Sequence, residues 1–138
     1  MNAAGGSVFA DSNVILDIAT GDPRWSAWSS TALSHWLDAG GVLINPIVYG
    51  EIAFACDRIE EVDTLLPPEL FQYRPIPREA SFLAARAHAD YRSRGGQRTA
   101  MLPDFLIGAH ALVERCALLT RDPRRYRQAF PGLELITP

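Results

Sequence analysis

The chain contains no lysine, and all 13 of its cationic side chains are arginine. A P-loop needs a lysine to hold its phosphates, and receiver and phosphohydrolase sites need one beside their aspartates. The absence therefore excludes those α/β chemistries. Histidine is scarce too: His35, His88 and His110 stand alone, without the HxxxH or HxH spacing of a ligand pair. We interpret the three histidines as packing or surface residues.

The chain has only two cysteines and no long apolar run. Cys56 and Cys116 lack the close spacing of a metal knuckle or a redox pair, so we interpret them as ordinary small side chains. No apolar run approaches the roughly 18 residues of a membrane span. The N-terminus has no basic region followed by a hydrophobic stretch. These absences predict a cytoplasmic protein without a membrane segment.

The length and composition fit one globular domain. The 138 residues are enough to bury a core without disulfides, and we expect a single domain over 1–138 with a flexible tail at 1–6. Hydrophobic residues make up 48% and charged residues 21%, which argues against disorder. The net charge of −3 does not indicate a chain that binds nucleic acid over its whole surface.

Short apolar runs alternate with segments of helical periodicity. This alternation predicts a three-layer α/β/α sandwich with a mostly parallel central sheet, whose ligands gather at the carboxyl ends of the strands. The predicted strands are 7–10, 42–45, 117–120, 133–136 and a weaker one at 71–73. The predicted helices are 14–19, 24–39, 46–58, 60–66, 78–94, 103–113 and 123–128, with a loop at 95–102.

Four acidic residues lie where an apolar segment ends or is interrupted. A carboxylate beside a core-forming segment is costly to desolvate unless it is paired or binds a cation. Two of the four follow predicted strands and two lie on helices, so this topology would bring them to one crevice. They are Asp11, Glu51, Asp104 and Asp122.

Each acid also has an ordinary structural interpretation. Asp11 is a suitable N-cap, Asp104 complements the dipole of a helical first turn, and Asp122 before a proline is a common turn residue. Glu51 is harder to explain in this way. It shares a helical stripe with Ile47 and Phe54, although a residue at the edge of that stripe would be partly exposed.

If the four carboxylates converge, they need a cation. Two unit charges about 5 Å apart repel by roughly 3 kcal/mol at an effective dielectric near 20. Carboxylate oxygens without Cys or His favour Mg²⁺ or Mn²⁺ over Zn²⁺. Such a site activates water and stabilises a leaving oxygen, which is metal-assisted hydrolysis of a phosphodiester.

Two polar residues stand close to these acids in the sequence. Asn13 is two residues after Asp11, and Thr120 is two residues before Asp122. Either side chain has the donors to hydrogen-bond a ligand carboxylate or a water. A helix-opening asparagine and a strand-end threonine are equally ordinary, so both interpretations remain open.

The acidic motifs, taken in order, resemble the PIN domain, and the length resembles the VapC-like toxins of bacterial toxin–antitoxin pairs. The resemblance implies that Asp11, Glu51, Asp104 and Asp122 bind Mg²⁺ or Mn²⁺ and cleave RNA. It also implies an antitoxin that blocks the cleft, and a homodimer. The motifs are Asp11-Ser12-Asn13 after a strand, Glu51 on the third helix, Pro103-Asp104-Phe105-Leu106-Ile107-Gly108-Ala109 opening a late helix, and Leu119-Thr120-Arg121-Asp122 closing a strand.

Arginines flank two of the motifs, and under this resemblance we expect them to hold RNA phosphates. A solvated basic surface is the alternative. The candidates are foremost Arg98, Arg121 and Arg124, with Arg92, Arg94, Arg125 and Arg127 beside them. The tryptophan-rich segment with Trp25, Trp28 and Trp36 is a candidate antitoxin surface, or part of the core.

The leading hypothesis is a metal-dependent endoribonuclease that acts as the toxin of a toxin–antitoxin pair. A non-catalytic RNA- or partner-binding module of the same fold is one alternative. A metal-dependent phosphatase or DNA nuclease that uses the same carboxylates is another.

Overall fold

The computed structural model describes residues 6–138, which form five strands and seven helices. All strand pairs are parallel, and the order across the sheet is β3-β2-β1-β4-β5. The strands are β1 (Val8–Ala10), β2 (Val42–Ile44), β3 (Phe71–Tyr73), β4 (Ala117–Leu119) and β5 (Leu135–Ile136).

Helices connect the strands, as parallel pairing requires. The first helix packs on the second, and the long fifth helix packs on the sixth. The helices are α1 (Ser12–Thr20), α2 (Ser26–Ala39), α3 (Pro46–Ala53), α4 (Ile59–Leu65), α5 (Arg78–Ser93), α6 (Pro103–Val113) and α7 (Arg124–Ala129).

The core lies on both faces of the sheet. Every residue of β1, β2 and β4 is buried, although successive side chains of a strand point to opposite faces. Both faces must therefore be covered by helices, which confirms the predicted three-layer sandwich. Phe9, Leu43 and Leu118 are among the largest fully buried side chains. Within residues 6–138, no helix is long and apolar enough to cross a membrane.

The order in which the chain adds strands to the sheet reverses between β1 and β4. From β1 the chain moves outward to β2 and β3, and later returns to β4 on the other side of β1. The register pairs Ala10 with Leu119, so the residues that follow these two strands emerge side by side. Such a switch point is where open α/β sheets bind ligands.

The predicted elements differ from the structure mainly after the second strand. The helix expected over 46–58 ends at Ala53, because a new helix begins at Ile59. The Glu61 carboxylate accepts hydrogen bonds from the backbone N–H groups of Asp57 and Arg58, at 2.8 and 3.3 Å, and so holds the start of α4.

The predicted tail, 1–6, lies outside the described residues except for Gly6. The backbone of Gly6 lies so close to Gly40 that a side chain at position 40 would collide with it. The chain is therefore packed from position 6 onward.

Candidate metal-dependent active site

Asp11 follows β1 directly and caps α1. Its backbone N–H donates to the carbonyl of Leu119 at 2.9 Å, which extends the β1–β4 pairing by one residue. Its backbone is extended, and its Oδ1 accepts the N–H of Ser12 at 2.8 Å. The residue is only 5% exposed. The N-cap interpretation is thus correct, and it places a nearly buried carboxylate at the switch point.

The second oxygen of Asp11 is surrounded by donors. Oδ2 accepts hydrogen bonds from Thr120 Oγ1 and from the Tyr126 hydroxyl, both at 2.9 Å, and from Asn13 Nδ2 at 3.3 Å. Thr120 and Asn13 also contact each other at 3.2 Å. A carboxylate has about four acceptor positions, so the hydrogen bonds within residues 6–138 leave Oδ1 as the oxygen with capacity to spare.

Glu51 lies on α3 and is joined to α1 by a hydroxyl. Ser12 Oγ donates a hydrogen bond of 2.8 Å to Glu51 Oε1. Ser12 is buried and Glu51 is half-buried. The residue after Asp11 therefore fixes the second carboxylate.

Asp104 lies in the first turn of α6, after Pro103. Its Oδ2 is 3.5 Å from Arg125 Nε on α7, and both side chains are somewhat less than half exposed. An arginine from the last helix thus partly neutralises this carboxylate.

Burial raises the pKa of three of the four carboxyl groups. Burial, opposed by hydrogen bonds from Tyr126 and Thr120, raises the pKa of Asp11 to about 6, and repulsion from Asp104 and Glu51 adds to the rise. Burial also raises the pKa of Glu51, with a further rise from Asp104. The pKa of Asp104 is raised by burial although Arg125 lowers it. These groups are close enough for each charge to oppose ionisation of another.

Asp122 differs from the other three. Its side chain is 48% exposed and lies 3.2 Å from Arg124 Nε. The hydrogen bond from Arg124 holds the pKa of Asp122 below its usual value. Asp122 contributes to the raised pKa of Asp104, so it lies at the rim of the same site. The structure thus joins Asp11 to Glu51 through Ser12, and places Asp11, Asp104 and the more exposed Asp122 around one crevice.

The donor set suits a hard divalent cation. Carboxylate oxygens are the ligands that Mg²⁺ and Mn²⁺ prefer, and a cation would offset both the burial that raises these pKa values and the smaller repulsion between the carboxylates. Within residues 6–138, no three His, Cys, Asp or Glu side chains are already arranged as a closed metal site. The residues therefore fit such a cation in chemistry, and the side chains would have to converge further to bind it.

A crevice of about 580 Å³ opens beside Asp11, Asp104 and Asp122, and Glu51 is not among the described residues that line it. Arg94, directly after α5, and Arg124 and Arg125 of α7 line it too, so the crevice carries both cationic and anionic side chains. The described residues that line it are Asp11, Ser12, Asn13, Tyr91, Arg94, Asp104, Phe105, Arg121, Asp122, Arg124, Arg125, Gln128 and Ala129.

The three arginines foremost in the sequence prediction have different surroundings. Arg124 lines the crevice and pairs with Asp122. Arg121 also lines the crevice, but its Nε is 2.7 Å from Oδ2 of buried Asp17, so the guanidinium group is already paired with a carboxylate of α1. Arg98 is exposed and is not among the described residues that line the crevice.

The tryptophans divide in a similar way. Trp28 and Trp36 are partly buried against the core, which agrees with the packing interpretation. Trp25 is half-buried between two arginines, with the guanidinium carbon of Arg24 4.7 Å and that of Arg121 5.8 Å from its ring centre.

Two residues that contact the acids were not predicted from the sequence. Ser12 stands inside the Asp11-Ser12-Asn13 motif, and its position beside Asp11 was the available signal. Tyr126 is the one aromatic residue in a run of arginines, which marks it as the inward position of a short polar helix. Its hydrogen bond to Asp11 spans 115 residues and has no local signal.

Comparisons with known proteins support the architecture. A search of curated protein sequences finds no significant match. Among solved structures, VapBC2 from Rickettsia felis bound to a promoter DNA fragment aligns with a TM-score of 0.72 at 16% identity, over 95% of this chain and 98% of that one.

Two further structures align comparably. A toxin–antitoxin complex from Klebsiella pneumoniae has a TM-score of 0.69 at 21% identity, over 95% of this chain and 97% of that one. VapBC-1 from nontypeable Haemophilus influenzae has a TM-score of 0.71 at 16% identity, over the same shares. At these identities the alignments establish a shared fold.

The sequence profile of the PIN domain matches residues 8–131, from the first residue of β1 to just past α7. The matched region includes all four acids and every donor to Asp11. Together with the parallel sheet and its switch-point carboxylates, this match shows that the chain belongs to the PIN domain family.

Proposed function

We propose that this protein is a metal-dependent endoribonuclease and the toxin of a toxin–antitoxin pair. The observation that carries the proposal is a crevice lined by Asp11, Asp104 and Asp122 with arginines on its wall, where Ser12 joins Asp11 to the half-buried Glu51. Membership of the PIN domain family supports the nuclease class.

In this proposal Asp11, through Oδ1, Glu51 and Asp104 hold Mg²⁺ or Mn²⁺, and Asp122 completes the set from the rim. The bound cation supplies an activated water and charge stabilisation of the leaving oxygen. Asn13, Thr120 and Ser12 orient the carboxylates through the hydrogen bonds described above.

The arginines supply the RNA contacts in this proposal. Arg94, Arg124 and Arg125 line the crevice, where guanidinium groups bind phosphate oxygens through charge-assisted hydrogen bonds. Arg98 lies in the loop between α5 and α6 and would contact phosphates farther from the crevice. Arg121 shapes the crevice through its pair with Asp17. Hydrolysis adds water across a phosphorus–oxygen bond of the RNA chain held between the arginines and the acids.

The structural neighbours support a protein partner. One of them is a toxin–antitoxin complex, and two others are VapBC structures. We therefore propose a cognate antitoxin as the partner, a homodimer as the assembly and the cytoplasm as the compartment. Co-expression with a neighbouring small gene followed by co-purification tests the partner, and light scattering tests the dimer.

The catalytic proposal is tested with the purified full-length protein and a structured RNA in Mg²⁺, Mn²⁺ or EDTA. Cleavage should require the metal and should fall at least 100-fold in Asp11→Asn and Asp104→Asn. Asp38→Asn on α2 is the matched control, since Asp38 is exposed.

Cleavage in EDTA, or full activity in both site variants, would contradict the catalytic proposal. Tight RNA binding without cleavage under any metal would favour the non-catalytic module. Parallel assays on single-stranded DNA and on a phosphomonoester separate the nuclease and phosphatase alternatives.

A further inference from the structure

Tyr126 is a buried residue on a short, exposed helix. It is 1% exposed, while Arg124, Arg125, Arg127 and Gln128 around it on α7 are exposed. A buried tyrosine hydroxyl usually has a hydrogen-bond partner. Here the partner is Oδ2 of Asp11, at 2.9 Å, so the last helix reaches the first carboxylate of the site.

Gly108 explains how α7 approaches so closely. It lies inside α6, where glycine costs about 1 kcal/mol relative to alanine. A Cβ built there would lie 2.7 Å from the ring of Phe130 and 3.0 Å from Cδ1 of Tyr126. The missing side chain thus makes room for two aromatic rings of the C-terminal segment.

The hydroxyl reaches Asp11 directly after β1. Asp104, in the first turn of α6, lines the same crevice as Asp11. Tyr126 therefore contacts one of two carboxylates that approach the crevice from different elements.

We infer that Tyr126, seated on Gly108, is a positioning residue for the cation site. Its hydroxyl, with Thr120 and Asn13, occupies Oδ2 of Asp11 and leaves Oδ1 for the cation. This inference rests on the proposed metal-dependent function and adds a residue to it. The Tyr126 hydroxyl contacts Asp11, a carboxylate that would bind the cation, and acts through it. Removing the hydroxyl should therefore reduce the affinity of the protein for the metal.

The test is Mn²⁺ binding to the full-length protein, measured by isothermal titration calorimetry without RNA. Tyr126→Phe removes only the hydroxyl and keeps the ring on Gly108. We expect its Kd for Mn²⁺ to rise about tenfold or more, the usual effect of removing a residue that orients a metal ligand. Tyr73→Phe is the matched control: it removes a hydroxyl from an exposed tyrosine on β3, away from the crevice, and should leave the Kd within twofold.

A second variant keeps the hydroxyl and displaces the ring. Gly108→Ala should also weaken Mn²⁺ binding, and in the double variant with Tyr126→Phe the two losses should not multiply, because both act through one contact. Thermal unfolding without metal monitors folding in every variant.

The outcomes separate this inference from the proposed function. If the wild-type protein cleaves RNA and binds Mn²⁺ while Tyr126→Phe binds it equally well, the positioning role of Tyr126 is wrong and the proposed function stands. A Tyr126→Phe variant that melts earlier with an unchanged Kd gives the hydroxyl a purely structural role, which also overturns the inference. If the wild-type protein binds no Mn²⁺, both proposals fail.

Discussion

Ser12 Oγ lies 2.8 Å from Glu51 Oε1, and this hydrogen bond joins the helix that follows β1 to the helix that follows β2. The two residues are 39 positions apart. Because Ser12 also donates its backbone N–H to Asp11, one residue holds two carboxylates of the site. The tight turn after β1 therefore determines more of the site than Asp11 alone.

Ser12→Ala should reduce both activity and stability. It removes one hydrogen bond from Glu51, which we expect to cost about 1 kcal/mol in the free energy of unfolding and about tenfold or more in RNA cleavage. Urea unfolding and initial cleavage rates measure the two effects. Ser30→Ala, at an exposed position of α2, is the control and should change neither. Unchanged cleavage in Ser12→Ala would show that Glu51 does not need this contact.

The raised pKa of Asp11 predicts how stability depends on pH. Its value of about 6 in the fold exceeds the ordinary 3.8, so the folded state binds the proton more tightly than the unfolded state. The metal-free protein should lose stability as the pH rises from about 4 to about 6, by up to about 3 kcal/mol from this group, and then level off.

Asp11→Asn isolates that contribution, because it stays uncharged at every pH. The metal-free variant should match the wild-type protein near pH 4 and exceed its free energy of unfolding above pH 6. Urea unfolding in EDTA at several pH values measures the difference. A difference that does not change with pH would contradict the burial of an ionising group at this position.

Asp104 and Asp122 should respond differently to loss of charge. Asp104→Asn removes one of the carboxylates whose pKa is raised by burial, and it should abolish most of the thermal stabilisation that Mn²⁺ provides. Asp122→Asn should lose much less, since Asp122 is half-exposed and already paired with Arg124. In the wild-type protein, Mn²⁺ at 100 times its Kd should add about 2.7 kcal/mol. Differential scanning fluorimetry with and without Mn²⁺ compares the variants, and equal losses would place Asp122 inside the cluster.

Arg125 should affect metal and RNA in opposite directions. It lies 3.5 Å from Asp104 and lowers the pKa of that carboxyl, so it competes with a cation for the same oxygens. Arg125→Gln should tighten Mn²⁺ binding several-fold and weaken RNA binding, with the salt dependence of RNA binding reduced by about one phosphate contact. Calorimetry and filter binding at several salt concentrations measure the two constants. Arg86→Gln on α5 is the exposed control.

Arg121 should matter for stability more than for RNA. Its partner Asp17 is 3% exposed and also accepts a hydrogen bond from Ser29 Oγ at 3.2 Å. Arg121→Gln leaves the buried carboxylate without its cation, which we expect to cost about 3 kcal/mol in the free energy of unfolding. Chemical denaturation measures this loss. A variant of full stability with greatly weakened RNA binding would restore the phosphate-binding role predicted from the sequence.

Much of the fold followed from local patterns. The apolar run of Val8–Ala10 and the Pro46 start of α3 predicted a strand and a helix start that the structure contains. The end of α3 was wrong by several residues, because the chain between Ala53 and Ile59 is set by Glu61 binding back to the start of α4. Helix ends depend on such returning contacts, which periodicity does not record.

The histidines illustrate the same point. His110 was expected to pack or to lie at the surface, and it is fully buried. Its Nδ1 is 3.1 Å from Asn45 Nδ2, and its Nε2 is 3.3 Å from Glu114 Oε2. Burial lowers its pKa. Asn45 also caps α3, so this network ties the helix of Glu51 to the helix of Asp104, which no spacing in the sequence indicated.

The chemistry available to this protein can be read from local features of its sequence. The absence of lysine, the four acids at the ends of apolar segments and the order of their motifs are local properties of the chain. The order of the motifs sufficed for the resemblance to the PIN domain, and the alternation of apolar runs with helical segments sufficed for the α/β sandwich. Packing sets which of these groups act on one another. It leaves Asp122 half-exposed and paired with Arg124, joins Arg121 to Asp17, and brings Tyr126 to Asp11 across 115 residues. Desolvation and charge repulsion depend on distance in space, and that distance is set only when the whole sheet and its helices have packed.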